Sequence, residues 1–304
     1  MAITGTVRVD RQEIQISRPE KVLFPEDGIT KGELIEYYAR VAPHMLPHLR
    51  DRPLTLERYP NGIGTKRFFQ KEVSSYFPKW IRTVSVPKVG GTVTHVVCND
   101  TATLVYIANQ ACVTPHIFLS RTDKLDVPDQ MIFDLDPQGE DFELVRSTAF
   151  AFKELLDEVQ LPAYLKTTGS RGLHVAVPLQ RRENYDAVRG FARELAAMIV
   201  AQEPKERTME PLKANRGTRV FIDTNRNGYA QLVAPAYAVR ARKGAPISVP
   251  LKWDELKQKN LRSNSITLRT AFDRLDQVQD PWADFWRRGV SLAKARRKLA
   301  VTKR

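Results

Sequence analysis

The chain has 304 residues, 42% of them hydrophobic, and its 48 Lys and Arg outnumber 35 Asp and Glu for a formal net charge of +13. That is apolar material for one large domain or two ordinary ones, which excludes a disordered chain, and so basic a surface attracts polyanions, nucleic acid first and acidic membrane second. No apolar run approaches the roughly 18 residues of a bilayer span, no signal peptide is readable, and Cys98 and Cys112 are too few for a disulfide framework or a four-cysteine zinc site. The expectation is a soluble, cytoplasmic protein with both thiols buried.

Residues 1 to about 30 read as short extended pieces. From 31 to about 41 the spacing predicts an amphipathic helix with Leu34, Ile35, Tyr38 and Val41 on one side and Thr30 as its N-cap. From 53 to 127 the pattern turns to strands, with a hairpin signal at Val89-Gly90-Gly91-Thr92 and a helix over 101–112. The run Met131-Ile132-Phe133-Asp134-Leu135-Asp136-Pro137 follows. In a strand Asp134 and Asp136 share one face while Phe133 and Leu135 pack behind them. Read alone, that pattern is either a site for hard divalent cations or a strand leaving the core with two solvated acids. Next come a helix over 141–158, a short strand at 164–168, and the turn Gly169-Ser170-Arg171-Gly172 leading into a strand at 173–178. A helix over 183–202 carries Val188, Phe191, Leu195, Met198 and Ile199 on its apolar side. The strand 219–223 ends in Asp223 and precedes an Asn- and Gly-rich loop at 224–228. The segment 234–242 reads as a strand with Arg240 and Arg242 on one face, and a helix over 265–278 precedes a basic tail. No internal repeat or long linker appears, so the fold class expected is α+β.

Two apolar strands ending in acids can lie side by side and bring Asp134, Asp136 and Asp223 around a pair of cations. The turn between them offers backbone N–H groups, the Ser170 hydroxyl and the Arg171 guanidinium to phosphate oxygens. Phe68-Phe69, flanked by Lys66, Arg67 and Lys71, is an aromatic pair set among cations, the pattern of a base-stacking platform. A phosphohydrolase of the haloacid dehalogenase type also opens on D-x-D, but wants Thr or Val two residues on, where this chain has Gln138 after Pro137. A non-catalytic end-binding module would explain the charge and the aromatic pair, and would not need three acids on core strands.

The ordered motifs F-D-L-D-P, T-T-G-S-R-G-L-H, R-V-F-I-D and A-P-x-Y-x-x-R-x-R closely resemble the polymerase domain of bacterial DNA ligase D and its stand-alone relatives, in the archaeo-eukaryotic primase superfamily. The resemblance runs from Lys21-Val22-Leu23-Phe24-Pro25 to about Trp286. It implies a primase-polymerase, RRM-like catalytic sheet with a packed N-terminal module: a single domain in which 1–130 form the N-terminal, DNA-contacting part, 131–285 the catalytic core and 286–304 a basic tail. The activity implied is nucleotidyl transfer that fills gaps and extends ends in non-homologous end joining, with gap filling or priming in excision repair as the alternative. The implied cofactors are two Mn2+ or Mg2+ ions per active site. The implied substrates are NTPs or dNTPs, ribonucleotides often preferred, on DNA with gaps or 3′-overhangs and a 5′-phosphate. Ku and a separate DNA ligase are the partners expected, with a nucleoid-associated location.

By the same resemblance Asp134, Asp136 and Asp223 are the metal-binding catalytic acids, and His116, Thr168, Ser170, Arg171 and Arg240 contact the nucleotide. Lys21 and Lys31 match a pocket for the downstream 5′-phosphate, and Phe68, Phe69, Lys71 and Arg216 match DNA contacts. His174 either joins the nucleotide site or supports the sheet. The hairpin around Gly90-Gly91, with Lys88 and His95, corresponds to a surface loop that helps hold two ends. Glu57 stands where these domains often carry a lysine, so no nucleotide role is carried onto it. The chain lacks ligase and nuclease modules, which reads as a free-standing polymerase or an excised piece, with Met1 favouring the former.

Overall fold

The computed structural model describes residues 5–139 and 141–302; the first four residues and the last two of the expected basic tail lie outside the described residues. The chain groups into two units. The first takes in residues 1–123, 232–248 and 266–277, and the second takes in 124–231, 249–265 and 278–304, so the chain returns to the first unit twice.

The first unit opens with β1 (Gly5–Val9), β2 (Gln12–Ile16), β3 (Val22–Phe24) and β4 (Ile29–Thr30), followed by α1 (Lys31–Leu49). Thr30 caps α1 in a capping box: its hydroxyl accepts from the Glu33 N–H while the Glu33 carboxylate accepts from the Thr30 N–H. The helix runs eight residues past the expected end at Val41, through Pro43 and Pro47, because Ala42, Met45, His48 and Leu49 extend the same buried stripe. After it come β5 (Pro53–Arg58), β6 (Phe68–Gln70), β7 (Thr83–Lys88), β8 (Gly91–Val97), α2 (Thr101–Asn109), β9 (Cys112–Ile117) and β10 (Ser120–Arg121). Strands β6, β5, β8 and β7 form one sheet in that order, and β9 also pairs with β5. Buried Tyr38 ties this unit together, donating to the Val113 carbonyl at 2.7 Å and accepting from the Val239 N–H at 3.1 Å. The segment 234–242 is not the strand expected. Tyr237 turns the backbone at φ 67°, and a lone bridge, Val239 to Ile247, is its strand pairing.

The second unit contains β11 (Lys124–Pro128), β12 (Gln130–Asp136), α3 (Phe142–Glu158), β13 (Tyr164–Thr167), β14 (Leu173–Pro178), α4 (Tyr185–Gln202), β15 (Arg207–Thr208), β16 (Val220–Asp223) and β17 (Pro250–Leu251). Its six-stranded sheet has the order β15-β16-β12-β14-β13-β17, antiparallel except for the β15–β16 pair. The acid-bearing strand β12 is therefore central, between β14 and β16. Phe133 packs on Phe152 of α3 with ring centroids 4.3 Å apart, which fixes the helix-covered face and turns Asp134 and Asp136 to the other. The expected final helix is shorter, α5 (Ala271–Gln277), and belongs to the first unit. In the second unit the basic tail is partly helical as α6 (Leu292–Thr302), with Leu292, Ala295 and Leu299 buried at helical spacing.

One residue governs how closely the turn before β14 approaches β12. A Cβ on Gly172 would stand 2.0 Å from the Leu135 carbonyl oxygen, so no larger residue fits without moving the strand that carries the acids. Gly172→Ala is expected to destabilise the protein by about 3 kcal/mol through that clash. Urea unfolding measures it, and an unchanged midpoint would mean that the strands can part there at no cost.

Candidate active site and DNA-facing surfaces

In the second unit the antiparallel register places Asp134 directly opposite Asp223, and His174 opposite Asp134 on the other side. Two like charges face each other across strands, an arrangement that destabilises a sheet unless something offsets it. Arg226 does so: its Nε lies 3.2 Å from Asp134 Oδ2 and 3.5 Å from Asp223 Oδ2. His174 Nε2 lies 3.2 Å from Asp134 Oδ1, yet that buried oxygen receives no hydrogen bond of good geometry. Burial alone would raise Asp134, but His174 and Arg226 hold it well below the usual carboxylate range. Burial, and then the Asp134 charge, push Asp136 up to about 7, and burial also raises Asp223. Burial, with Lys166 beside it, lowers His174 to about 4, so the imidazole is neutral at physiological pH.

The carboxylates suit a hard cation in donor type, and the undonated Asp134 Oδ1 is the atom such an ion would take. Among the described residues no three His, Cys, Asp or Glu side chains already form a metal cage. Arg226 instead spans Asp134 and Asp223. Sequence reasoning passed over this arginine because one cation in a polar loop carries no pattern of its own.

The Gly169–Gly172 turn differs from the expected phosphate cradle. The Ser170 and Gly172 N–H groups both donate to Thr168 Oγ1 at 3.2 Å, so they serve the turn itself, and Thr168 is buried with Ser263 Oγ at 3.1 Å. Arg171 remains exposed, and with Ser170, Arg262 and Asn264 it lines a cavity of about 490 Å³ that also touches Pro137, the residue after Asp136. Arg216 is pinned rather than loose. It lies over the Phe221 ring at 3.5 Å and donates to the carbonyls of Glu210 and Pro211.

In the first unit Glu57 is the hub of a second cluster. Its Oε2 meets His116 Nε2 at 2.8 Å, and its Oε1 accepts from Tyr59 at 2.9 Å and from Arg67 at 3.1 Å. Burial works against the charge, but the His116 hydrogen bond and charge, then Tyr59 and Arg240, bring Glu57 down to about 2. Glu57 therefore orients His116, a role that its place in the sequence did not suggest. Phe68 and Phe69 are 43% and 42% exposed, each with a guanidinium 5.1 Å from its ring centre, Arg58 for Phe68 and Arg67 for Phe69. With Lys71, Tyr76 and Lys88 they line a concave surface of about 550 Å³, and Val89 at the hairpin tip is fully exposed. His95 is not part of that exposed loop, being buried with Nδ1 2.8 Å from the Leu54 carbonyl oxygen.

Lys31 is 4% exposed, with its ammonium 3.0 Å from Ser17 Oγ and 3.2 Å from the Asn109 carbonyl oxygen; burial, then Arg18, lowers it to about 8. Lys21 Nζ donates to Asn61 at 3.1 Å, and the Lys31 N–H donates to the Lys21 carbonyl. The N–H groups of Lys31, Gly32 and Glu33 all have acceptors within the protein, so an anion here would be held by side chains and the helix dipole.

Carboxylates grouped at the end of a central antiparallel strand, next to a turn bearing Ser170 and Arg171, are the donor types that metal-assisted chemistry on phosphates uses. The comparisons give the particular family. The profile of the LigD primase-polymerase domain matches residues 30–282, and the chain belongs to that family. It is a nucleotidyltransferase of mixed α+β fold. It is 32% identical to the multifunctional non-homologous end joining protein LigD of Mycolicibacterium smegmatis over 91% of this chain and 36% of that protein. It is 29% identical to the bifunctional LigD of Bacillus subtilis over 90% of this chain and 44% of that one. The chain thus spans less than half the length of these relatives. The polymerase domain of Mycobacterium tuberculosis ligase D in complex with DNA superposes with a TM-score of 0.85 at 27% identity, covering 91% of this chain and 99% of that one. No helix among the described residues is long and apolar enough to cross a membrane.

The raised Asp136 makes a pH dependence. In the unfolded chain it ionises near its ordinary value of 3.8, and in the folded one near 7, so its stabilising contribution is whole below about 4 and is lost as pH rises through 7. In chelator, Asp136→Asn is expected to show a shallower fall in thermal midpoint between pH 5 and 8 than the unmodified protein. Parallel curves would place the proton elsewhere.

Proposed function

We propose that this chain extends 3′-hydroxyls at gaps and ends of broken DNA during non-homologous end joining, with ribonucleotides accepted at least as readily as deoxyribonucleotides. The observation that carries the reading is the carboxylate row: Asp134 across from Asp223, with Asp136 two residues on along the same face of β12. Asp134, Asp136 and Asp223 would hold two Mn2+ or Mg2+ ions, which when bound supply the positive charge that activates a hydroxyl and stabilises a phosphoryl transition state. The protein's own part is placement. The β12–β16 register holds two acids face to face, Gly172 admits the close turn, and Arg171 stands exposed as a guanidinium for phosphate oxygens. In the first unit Glu57 fixes the His116 ring, and Arg240 contributes positive charge to the same cluster, which suits both to a nucleotide. Asp134→Ala, Asp136→Ala and Asp223→Ala should each lower primer extension with Mn2+ on gapped DNA by at least about 10³-fold, with DNA binding retained. Competition between rATP and dATP opposite template thymine in the same assay should favour rATP or be even. Near-normal extension by two of the three variants would remove the metal assignment, and a clear dATP preference would remove the sugar assignment.

The DNA-facing part of the proposal rests on the first unit. Phe68 and Phe69, braced by Arg58 and Arg67 above a concave basic surface, suit a stacking platform for template bases. Lys31, buried near Arg18 and Lys21 with Glu20 offsetting only part of their charge, suits a 5′-phosphate. Such an enzyme would act beside Ku and a separate DNA ligase. Each charge-assisted contact to that phosphate is worth roughly a five- to thirty-fold change in affinity. Fluorescence anisotropy should show tighter binding to a gap bearing a downstream 5′-phosphate than to its hydroxyl counterpart. Lys21→Ala with Lys31→Ala should erase the difference at one fixed salt concentration. Equal affinity of the unmodified protein for both gaps would make these lysines part of a general basic surface.

A further inference from the structure

The loop after β16 is built to aim one arginine. Asn227, fully buried, accepts from the Ile132 N–H at 2.8 Å and donates to the Ile132 carbonyl at 2.7 Å, so its amide grips β12 two residues before Asp134. The same amide nitrogen donates to the Thr224 carbonyl at 3.0 Å, and the Asn225 N–H donates to Asp223 Oδ1 at 2.8 Å, which closes the turn on the end of β16. Between these anchors sits Arg226, its side chain about one-third exposed, with Nε over Asp134 Oδ2 and Asp223 Oδ2. The other cations near the acids are committed differently. Arg216 lies over Phe221 and donates to two carbonyls, and Arg171 faces the cavity beyond Pro137.

A guanidinium that bridges two facing carboxylates does for the metal-free sheet what a divalent ion does for the loaded one: it offsets their repulsion. A divalent ion taking the undonated Asp134 Oδ1 and reaching Asp223 would set a second positive charge against the Arg226 guanidinium on the same two carboxylates, and the two cations repel. We propose that Arg226 is a resident counter-cation of the active site, which a divalent ion displaces from the Asp134–Asp223 pair, so that this one residue sets both the metal-free stability of the sheet and its apparent affinity for metal. The inference rests on the reading of those acids as metal ligands. Its chemistry is exchange alone: one cation leaves the carboxylates and another arrives.

The test uses the full chain with Mn2+ as the probe, in the absence of DNA and nucleotide, and counts free ion by electron paramagnetic resonance. Arg226→Gln, which keeps a polar nitrogen near the place of Nε and removes the charge, should bind Mn2+ on the order of tenfold more tightly than the unmodified protein. Arg226→Lys should fall between the two, and serves in its place should the Gln variant not fold. Melting the same proteins in chelator and then in Mn2+ gives a second readout. The Gln variant should melt lower in chelator and gain more from the metal, whereas a purely structural role would lower both midpoints alike and leave affinity unchanged. Asp134→Asn separates the two levels of the claim. If it loses Mn2+ binding while Arg226→Gln leaves affinity unchanged or weaker, the counter-cation inference is overturned and the metal reading stands. If Asp134→Asn binds as tightly as the unmodified protein, the ion sits elsewhere and both fall.

Discussion

Everything at the carboxylate end of the second unit's sheet follows from one electrostatic conflict. The register that makes β12 and β16 neighbours sets Asp134 against Asp223, and Asp136 follows two residues later in the same half-buried surroundings. Three carboxylates cannot all be ionised in such a place without a counter-charge. The folded protein answers in three ways at once. Arg226 bridges two of the acids, His174 lies against one, and Asp136 keeps its proton up to about 7. Apolar side chains at these positions would have avoided the problem altogether.

The same logic, with roles reversed, governs the first unit. There Lys31 is buried against Ser17 and the Asn109 carbonyl with Arg18 and Lys21 close by, and Glu20 offsets part of that positive charge. In a separate cluster of the same unit, Glu57 is held ionised by His116, Tyr59 and Arg67 together. The two units thus carry opposite charge imbalances, one around a buried lysine and one around buried acids, and each is visible as a shifted ionisation.

How much of this was readable beforehand depended on whether a residue's role lay in a period or in a partner. The face shared by Asp134 and Asp136 comes from the two-residue repeat of a strand, and the exposed aromatic pair came from its flanking cations, so both were legible. The cap at Thr30 was legible for the same local reason. Arg226 and Glu57 were not, because their meaning lies in side chains 92 and 59 positions away. The segment 234–242 looked extended by alternation, and the turn at Tyr237 depends on its hydrogen bond to the Ser248 carbonyl, a tertiary contact. The last helix shows a signal that was overlooked: Leu292, Ala295 and Leu299 recur at helical spacing beneath a surface of lysine and arginine.

Asn109 joins parts of the chain that sequence keeps far apart. Its side chain accepts from the Ser17 N–H and donates to the Gln15 carbonyl, while its own carbonyl receives Lys31. The N-terminal hairpin is thereby part of the wall around Lys31, although the family profile begins only at residue 30. The carboxylate row and the surroundings of Lys31 consequently draw on different lengths of chain. A protein cut to the family's own boundary would keep every residue of the carboxylate row and lose Ser17, the hydroxyl that the Lys31 ammonium meets.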